Sequence, residues 1–328
     1  KVMIKKVFIG AAFLLLSASI TQPVSAQSII PQPESITRQQ GTFTLAKGLQ
    51  GVTNLKGEAF KILNQYTSDI MSIPFSSVKK PSADAPLRLI CTGTEQEAAM
   101  AADSVSLQGY ELNVTPTAVT IQARTPMGLF YGLQTLRQLE KDSQIPCVKI
   151  TDTPRFAYRG LMIDCSRHFW SSDEIKKQLD AMAYFKLDRF HWHLTDGGGW
   201  RMEVKQYPRL TEETAYRTES DWTKWWNGND RQYSPDPDRL VCWKGMNIHG
   251  GYYTQDDIKE IVDYAAARHI TIIPEIEMPG HSDEVVYAYP ELSCTGKPYT
   301  QSDLCVGKEQ TYTFMENVLK EEIGRAHV

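Results

Sequence analysis

Downstream of Arg155 the sequence alternates short apolar runs with amphipathic stretches, and this alternation constrains the fold more than any other feature. Residues 160–164 read as a buried strand that ends in polar residues. Residues 172–186 read as a helix capped by Ser171 or Ser172, with Ile175, Leu179, Met182 and Phe185 as its apolar stripe. Residues 189–194 form the next strand. Thr254 caps a second helix with Ile258, Ile261, Val262, Tyr264 and Ala265 inward, and residues 269–276 form a third strand. Repeated βα units with near-continuous apolar strands mean a parallel sheet or a (β/α)8 barrel. A whole barrel takes about 250 residues, and roughly 170 follow Arg155. The expected fold class is therefore α/β, with residues 155–322 forming the first part of a TIM barrel, about three to four βα units.

Ahead of the barrel, residues 27–150 read as a small α/β domain. Residues 87–90 suit a strand, and residues 110–114 and 118–123 alternate apolar with polar positions around a Thr-Pro turn, as a hairpin does. Met127, Phe130, Tyr131, Leu133, Leu136 and Leu139 then recur at helical spacing, with Pro126 in the first turn. Residues 151–154 (Thr-Asp-Thr-Pro) are a linker. At the front, Lys5 and Lys6 precede an apolar run over residues 7–16, and Val24-Ser25-Ala26 ends in small residues. Residues 1–26 are thus expected to be a secretory signal peptide, so that the mature protein starts near Gln27 and is exported to the periplasm or the extracellular space. The apolar run is too short to span a bilayer comfortably.

A formal net charge of -4 leaves no footprint for nucleic acid and no polybasic patch for a membrane surface. A neutral glycan fits that balance, as do most metabolites. Six cysteines in an exported chain permit disulfides. None forms a C-x-x-C pair, so a structural zinc site has no support. Cys294 and Cys305 bracket a loop that one bridge could span, and the other cysteines could equally be buried thiols.

Three strand ends carry the chemistry. At the first, Arg167 can fork two hydrogen bonds to adjacent hydroxyls, or sit in an ion pair with Asp164 or Asp196. At the second, His191 and His193 share one face of their strand because side chains alternate. They could hold a divalent metal as part of a metal-dependent barrel hydrolase, but two further ligands from later strands are not evident, and buried hydrogen-bonded histidines are the simpler reading. Asp196, just before three glycines, is better placed to reach a ligand or hold an arginine. At the third, Glu275, Glu277 and His281 gather where a strand turns into a Pro-Gly loop. A histidine there can tune a carboxyl group for general acid work, while the glutamates could instead cap the next helix or pair with lysines. Between strands, residues 207–252 hold Trp222, Trp225, Trp226 and Trp243 in a stretch too polar for a core. Those tryptophans either stack on sugar rings or pack the loop against itself.

The order and spacing of Arg159-Gly160-Leu161-Met162-Ile163-Asp164-Cys165-Ser166-Arg167-His168-Phe169, His191-Trp192-His193-Leu194-Thr195-Asp196 and Pro274-Glu275-Ile276-Glu277-Met278-Pro279-Gly280-His281 closely resemble the family 20 β-N-acetylhexosaminidases over about residues 155–320. The preceding domain is similar to the small α/β domain that usually stands before that family's barrel. The resemblance implies retaining exo-hydrolysis of terminal β-linked N-acetylglucosamine or N-acetylgalactosamine, with the substrate's own acetamido oxygen as nucleophile. It implies no metal and no organic cofactor. By the same resemblance Arg167 holds the sugar's 3- and 4-hydroxyls and Asp196 lines that pocket. His281 contacts the catalytic acid, Glu277 supports His281, and Cys294 and Cys305 stand where some members carry a loop disulfide.

Two departures stand out. Gly197 occupies a position where the family often has a second acid, although Trp200 and Arg201 follow in place. The family's His-x-Gly-Gly-Asp-Glu motif, source of the catalytic pair, is not found. The ending (residues 323–328) resembles a translated sequencing adapter and is expected to be non-native. The chain by itself is accordingly expected to be inactive and poorly soluble, with unpaired strand edges. The rival reading is a noncatalytic glycan-binding protein using Arg167 and the tryptophan-rich insert.

Overall fold

A computed structural model of the chain describes residues 29–228, 232–234, 248–298 and 301–326, the last five of these by backbone alone. The expected signal peptide, Cys242 and Trp243 lie outside the described residues.

The first part is a seven-stranded sheet of β1 (Ser35–Thr44), β2 (Gly51–Thr53), β3 (Phe75–Ser77), β4 (Leu87–Cys91), β5 (Tyr110–Val114), β6 (Val119–Ala123) and β7 (Gln144–Asp152), in the order β1-β7-β5-β6-β4-β2-β3. The hairpin read from the sequence is β5 and β6, paired antiparallel with Leu112 opposite Ile121. Tyr110, Leu112 and Val114 are buried while Glu111 and Asn113 are exposed, the alternation a half-covered sheet demands. Helices α1 (Gly57–Met71), α2 (Glu95–Met100) and α3 (Pro126–Leu139) complete this part. Thr125 caps α3 by accepting from the Gly128 amide. Gly132 lets α3 lie against β6, since a Cβ there would sit 2.4 Å from Ile121 Cγ2.

After this sheet come β8 (Gly160–Asp164), α4 (Ser172–Tyr184) and β9 (Arg189–Asp196). The insert follows, with β10 (Gly199–Trp200), α5 (Arg209–Thr214), β11 (Tyr216–Arg217), α6 (Trp222–Asn227), β12 (Tyr233–Ser234) and β13 (His249–Gly250). Then come α7 (Gln255–Ala266), β14 (Thr271–Ile276), α8 (Asp283–Ala288) and α9 (Glu309–Ala326). β8 and β14 both pair with β9 in parallel, which makes an open segment of a (β/α)8 barrel. Ser171 and Thr254 cap α4 and α7 through capping boxes with Glu174 and Asp257. Among the described residues no helix is long and apolar enough to cross a membrane.

Four expectations are corrected here. Residues 160–164 are not a buried strand: Met162 is 52% exposed, as Ile273 on β14 is 36% exposed. Phe190 and Trp192 on the opposite face of β9 are buried. The three strands cover one face with helices and do not by themselves enclose the other. Phe185 is 40% exposed rather than part of the α4 stripe, because α4 ends at Tyr184 and Lys186 turns the chain at φ 59°. His269 sits in the turn before β14 at φ 57°, and that strand starts at Thr271. The insert has an interior of its own: β12, β11 and β13 form a small sheet, with Arg217, Trp225 and Tyr233 buried.

The two parts share one continuous apolar core. Polar ties cross the same seam. Arg159 donates to Tyr131 Oη at 2.8 Å and Gln108 Oε1 at 2.9 Å, and Lys186 Nζ reaches Tyr110 Oη at 2.9 Å and Asp152 Oδ2 at 3.1 Å.

Candidate active site

Strand register builds the site. Asp164 on β8 and Glu275 on β14 both stand opposite His193 on β9, so three polar side chains form a row across the open face. His191 lies one step earlier on the same face, opposite Met162 and Ile273. At the end of β8, Asp164 Oδ1 accepts from the amides of Ser166 and Arg167, both at 3.0 Å, and folds the chain into a tight turn. That turn brings Arg167 back over the strand ends. Its Nη1 lies 2.8 Å from Asp164 Oδ2, and its Nη2 lies 2.7 Å from Asp196 Oδ2. Both ion pairs open to Arg167 are made.

Asp196 is the hub. It is 3% exposed, and its Oδ1 accepts from the Gly197 amide at 2.7 Å. Oδ2 faces Arg167, His193 Nε2 at 3.3 Å and His281 Nδ1 at 3.2 Å. Glu277, which the resemblance assigns to the support of His281, has its Oε1 3.8 Å from the same Nδ1, farther away than Asp196. The His281 side chain is 64% exposed in a turn at φ 48°, and Thr195 Oγ1 accepts from the Glu277 amide at 2.8 Å, tying β14 to β9. Arg167, Asp196, Glu277 and His281 therefore come together at the carboxyl ends of the strands, the barrel face that carries active sites.

Among the described residues Glu275 neither caps a helix nor meets a lysine. Its Oε2 lies 2.6 Å from both His191 Nε2 and His193 Nδ1. Burial alone would depress the His193 imidazolium, but contacts with Asp196 and Glu275 and the charge of Asp164 outweigh it and lift its pKa to about 9. For Glu275, burial pushes upward and the two histidines pull harder downward, leaving it below the usual carboxylate value. Glu275 on β14 and Glu277 just after it approach His193, while His191 is not part of that group. His193, Glu275 and Glu277 bring ligand-type atoms within 4.8 Å of one another. An ion there would first have to displace the proton that these same acids hold on His193.

Sequence reasoning missed two fully buried arginines. Arg201 donates to the carbonyls of Cys165 at 3.0 Å, Ser166 at 2.7 Å, Gly198 at 3.2 Å and Gly251 at 3.1 Å, and also to that of Ala215. Burial lowers its pKa to about 10. Arg217 does similar work from β11. The carbonyls belong to separate loops, so no local spacing could announce these contacts. Of the glycines beside Asp196, Gly198 is a spatial necessity because it faces backbone atoms, whereas Gly197 faces only a side-chain tip. A Cβ on Gly198 would lie 2.7 Å from Ser166 O, and one on Gly197 would lie 2.9 Å from Asp283 Oδ2.

The dipeptide Asp283-Glu284 does not supply a catalytic pair, for both residues are buried, Glu284 completely. Neither carboxyl oxygen of Glu284 has a hydrogen-bond partner among the described residues, and burial raises its pKa well above the usual value. Cys294 is disulfide-bonded to Cys305. The closed loop is tied to the His281 turn by bonds from Ser282 N to Ser302 O at 2.6 Å and from Leu304 N to Pro279 O at 2.8 Å.

Comparison with known proteins agrees with this geometry. The chain is 35% identical over 322 residues to a β-hexosaminidase of Porphyromonas gingivalis, covering 90% of this chain and 37% of that protein. It is 33% identical over 317 residues to a β-hexosaminidase of Vibrio furnissii, covering 90% of this chain and 46% of the relative. Among solved structures, the β-N-acetylhexosaminidase of Bacteroides fragilis superposes with a TM-score of 0.70 at 30% identity, over 92% of this chain and 55% of the other. That of Streptomyces plicatus, in complex with Thio-NAglucal, gives 0.70 at 32%, over 92% and 57%. The chain thus spans about half the length, or less, of the relatives it matches. The family model "Glycosyl hydrolase family 20, domain 2" matches residues 26–153, and "Glycosyl hydrolase family 20, catalytic domain" matches residues 156–326. Two family models in tandem over almost the whole described chain, with relatives and folds that agree, place this chain in glycosyl hydrolase family 20, the β-hexosaminidase family of glycoside hydrolases.

Proposed function

We propose that this chain forms the sugar-gripping side of a β-N-acetylhexosaminidase that removes terminal β-linked N-acetylglucosamine or N-acetylgalactosamine from glycans, working outside the cytoplasm. The carrying observation is the convergence of Arg167, His193 and His281 on one carboxylate oxygen of Asp196. A guanidinium whose fork is fixed by Asp164 and Asp196 presents its remaining N–H groups in one plane, which suits adjacent sugar hydroxyls. His281 keeps Nδ1 toward Asp196 and Glu277, so its other ring nitrogen is oriented outward to meet a catalytic acid. In the substrate-assisted mechanism the acetamido oxygen attacks the anomeric carbon while a glutamic acid protonates the leaving oxygen. That acid would come from the His-x-Gly-Gly-Asp-Glu motif, which these residues do not include.

The 328 residues are therefore expected to bind N-acetylglucosamine and not to cleave its glycosides. NMR titration with N-acetylglucosamine tests the first half, and release of nitrophenol from 4-nitrophenyl N-acetyl-β-glucosaminide tests the second. Turnover by this chain alone would overturn the assignment of roles, and a titration in which Arg167→Ala binds the sugar as well as the parent would remove the gripping role.

A further inference from the structure

In the sequence, residues 207–252 read as a substrate-facing loop whose tryptophans meet sugar rings or one another. The structure engages this insert with Arg167. The Arg217 side chain is completely buried, and its guanidinium donates to backbone carbonyls: Nη2 to Arg167 O at 2.7 Å and Ser220 O at 2.9 Å, Nη1 to Gly198 O at 3.1 Å, and Nε to Glu219 O at 2.8 Å. One residue thus fastens the backbone of the first strand end to that of the second. Trp222 covers the other end of Arg167, with the Arg167 Cζ 5.7 Å and the Arg217 Cζ 5.6 Å from its ring. Trp225 and Trp226 stack on Trp222 at 5.6 Å and 5.1 Å, which fixes that ring in turn.

A buried guanidinium held by carbonyls is costly to desolvate, so its value lies in the geometry it imposes. Asp164 and Asp196 fix the Arg167 fork from one side. Support from the other side removes motion that the two ion pairs leave to this long side chain, so that each hydroxyl contact has less entropy to offset. We infer that Arg217 and Trp222 are positioning residues that hold the backbone and the guanidinium plane of Arg167, so that the insert sets how tightly the terminal sugar is gripped. This rests on the reading of Arg167 as the sugar-binding arginine.

The test compares Arg217→Lys, Trp222→Leu and Trp222→Phe in the full chain with two readouts. The first is the Arg167 Nε–H resonance, assigned by its loss in Arg167→Lys. It is shifted by the Trp222 ring in the parent, and that shift vanishes in Trp222→Leu and largely survives in Trp222→Phe. The second is affinity for N-acetylglucosamine, expected to fall about tenfold in Arg217→Lys and Trp222→Leu, with recovery in Trp222→Phe. Unchanged Arg167 resonance and unchanged affinity in both Arg217→Lys and Trp222→Leu would overturn the inference. A parent chain that binds no N-acetylglucosamine would overturn the sugar reading alone, and the resonance would still decide whether Arg167 is held. Should Trp222→Leu fail to fold, Arg217→Lys and Trp222→Phe carry the decision.

Discussion

Arg167 and Asp196 meet through Nη2 and Oδ2 at 2.7 Å, with the carboxylate almost wholly buried and the guanidinium only partly so. Removing the charge of the buried partner strands the other members of the cluster. Asp196→Asn is therefore expected to cost about 3 kcal/mol in stability and to abolish detectable sugar binding. Urea unfolding and a sugar titration on the same variant check both parts. A variant as stable as the parent would show that Asp164 alone satisfies Arg167.

His193 should make stability depend on pH in a defined window. Its folded pKa is about 9 against an ordinary value of 6.5, so its pairing stabilises fully below pH 6.5 and is lost as pH rises through 9. Glu275 is displaced downward from 4.5, so its contribution holds above that value and fades as pH falls below it. The denaturation midpoint should then decline between pH 6.5 and 9 in the parent, with a flatter profile in His193→Gln. Parallel profiles would refute the assignment to His193.

Glu284 gives the opposite kind of effect. An acid that keeps its proton when folded and releases it near 4.5 when unfolded loses stability as pH rises. Glu284→Gln has no such loss, so it should be more stable than the parent near pH 7.5, with the gain shrinking toward pH 4.5. A difference that does not change with pH would mean that Glu284 ionises normally.

Gly198→Ala should be among the more damaging single-methyl changes available. The added carbon meets Ser166 O and the Arg167 Cα at 2.7 and 2.9 Å, both backbone atoms that cannot swing aside. A loss of about 2 to 3 kcal/mol is expected, together with weaker sugar binding, because the two strand ends must part. Gly307→Ala, where a Cβ meets nothing within 4 Å, serves as the control and should be near neutral. Equal effects at the two sites would contradict the close approach of the strand ends.

Opening the Cys294–Cys305 bridge, which spans a sequence separation of 11, should cost about 3 kcal/mol by loop-closure entropy. Because the loop is hydrogen-bonded to Pro279 and Ser282, amide exchange in the His281 turn should also speed up in Cys294→Ser/Cys305→Ser. Unchanged exchange there would separate the bridge from the site.

Much of this architecture was legible in periodicity. The hairpin around Pro116 and the capped helices α3, α4 and α7 follow from alternation, 3.6-residue spacing and side-chain caps, all of which act over a few residues. The site was legible as three polar strand ends, and its residues do meet. What escaped were relationships set by register and by loop carbonyls. Glu275 binds both histidines because β14 pairs with β9 at one particular stagger. Arg201 and Arg217 are buried because carbonyls from distant turns converge on them. The Phe185 position failed for a related reason: the pull of Lys186 toward Tyr110 and Asp152 outranks one place in an apolar stripe.

The seam between the two sheets carries a consequence for biosynthesis. Arg159 and Lys186 stand just ahead of the barrel strands β8 and β9, yet their partners Gln108, Tyr110, Tyr131 and Asp152 lie in the first part of the chain, which leaves the ribosome earlier. Because domains generally fold in the order of synthesis, the leading part is expected to offer these partners when the segments that enter β8 and β9 emerge. Loss of the leading part would strip Lys186 of both Tyr110 and Asp152, while Arg159 would keep Asp188 at 3.0 Å.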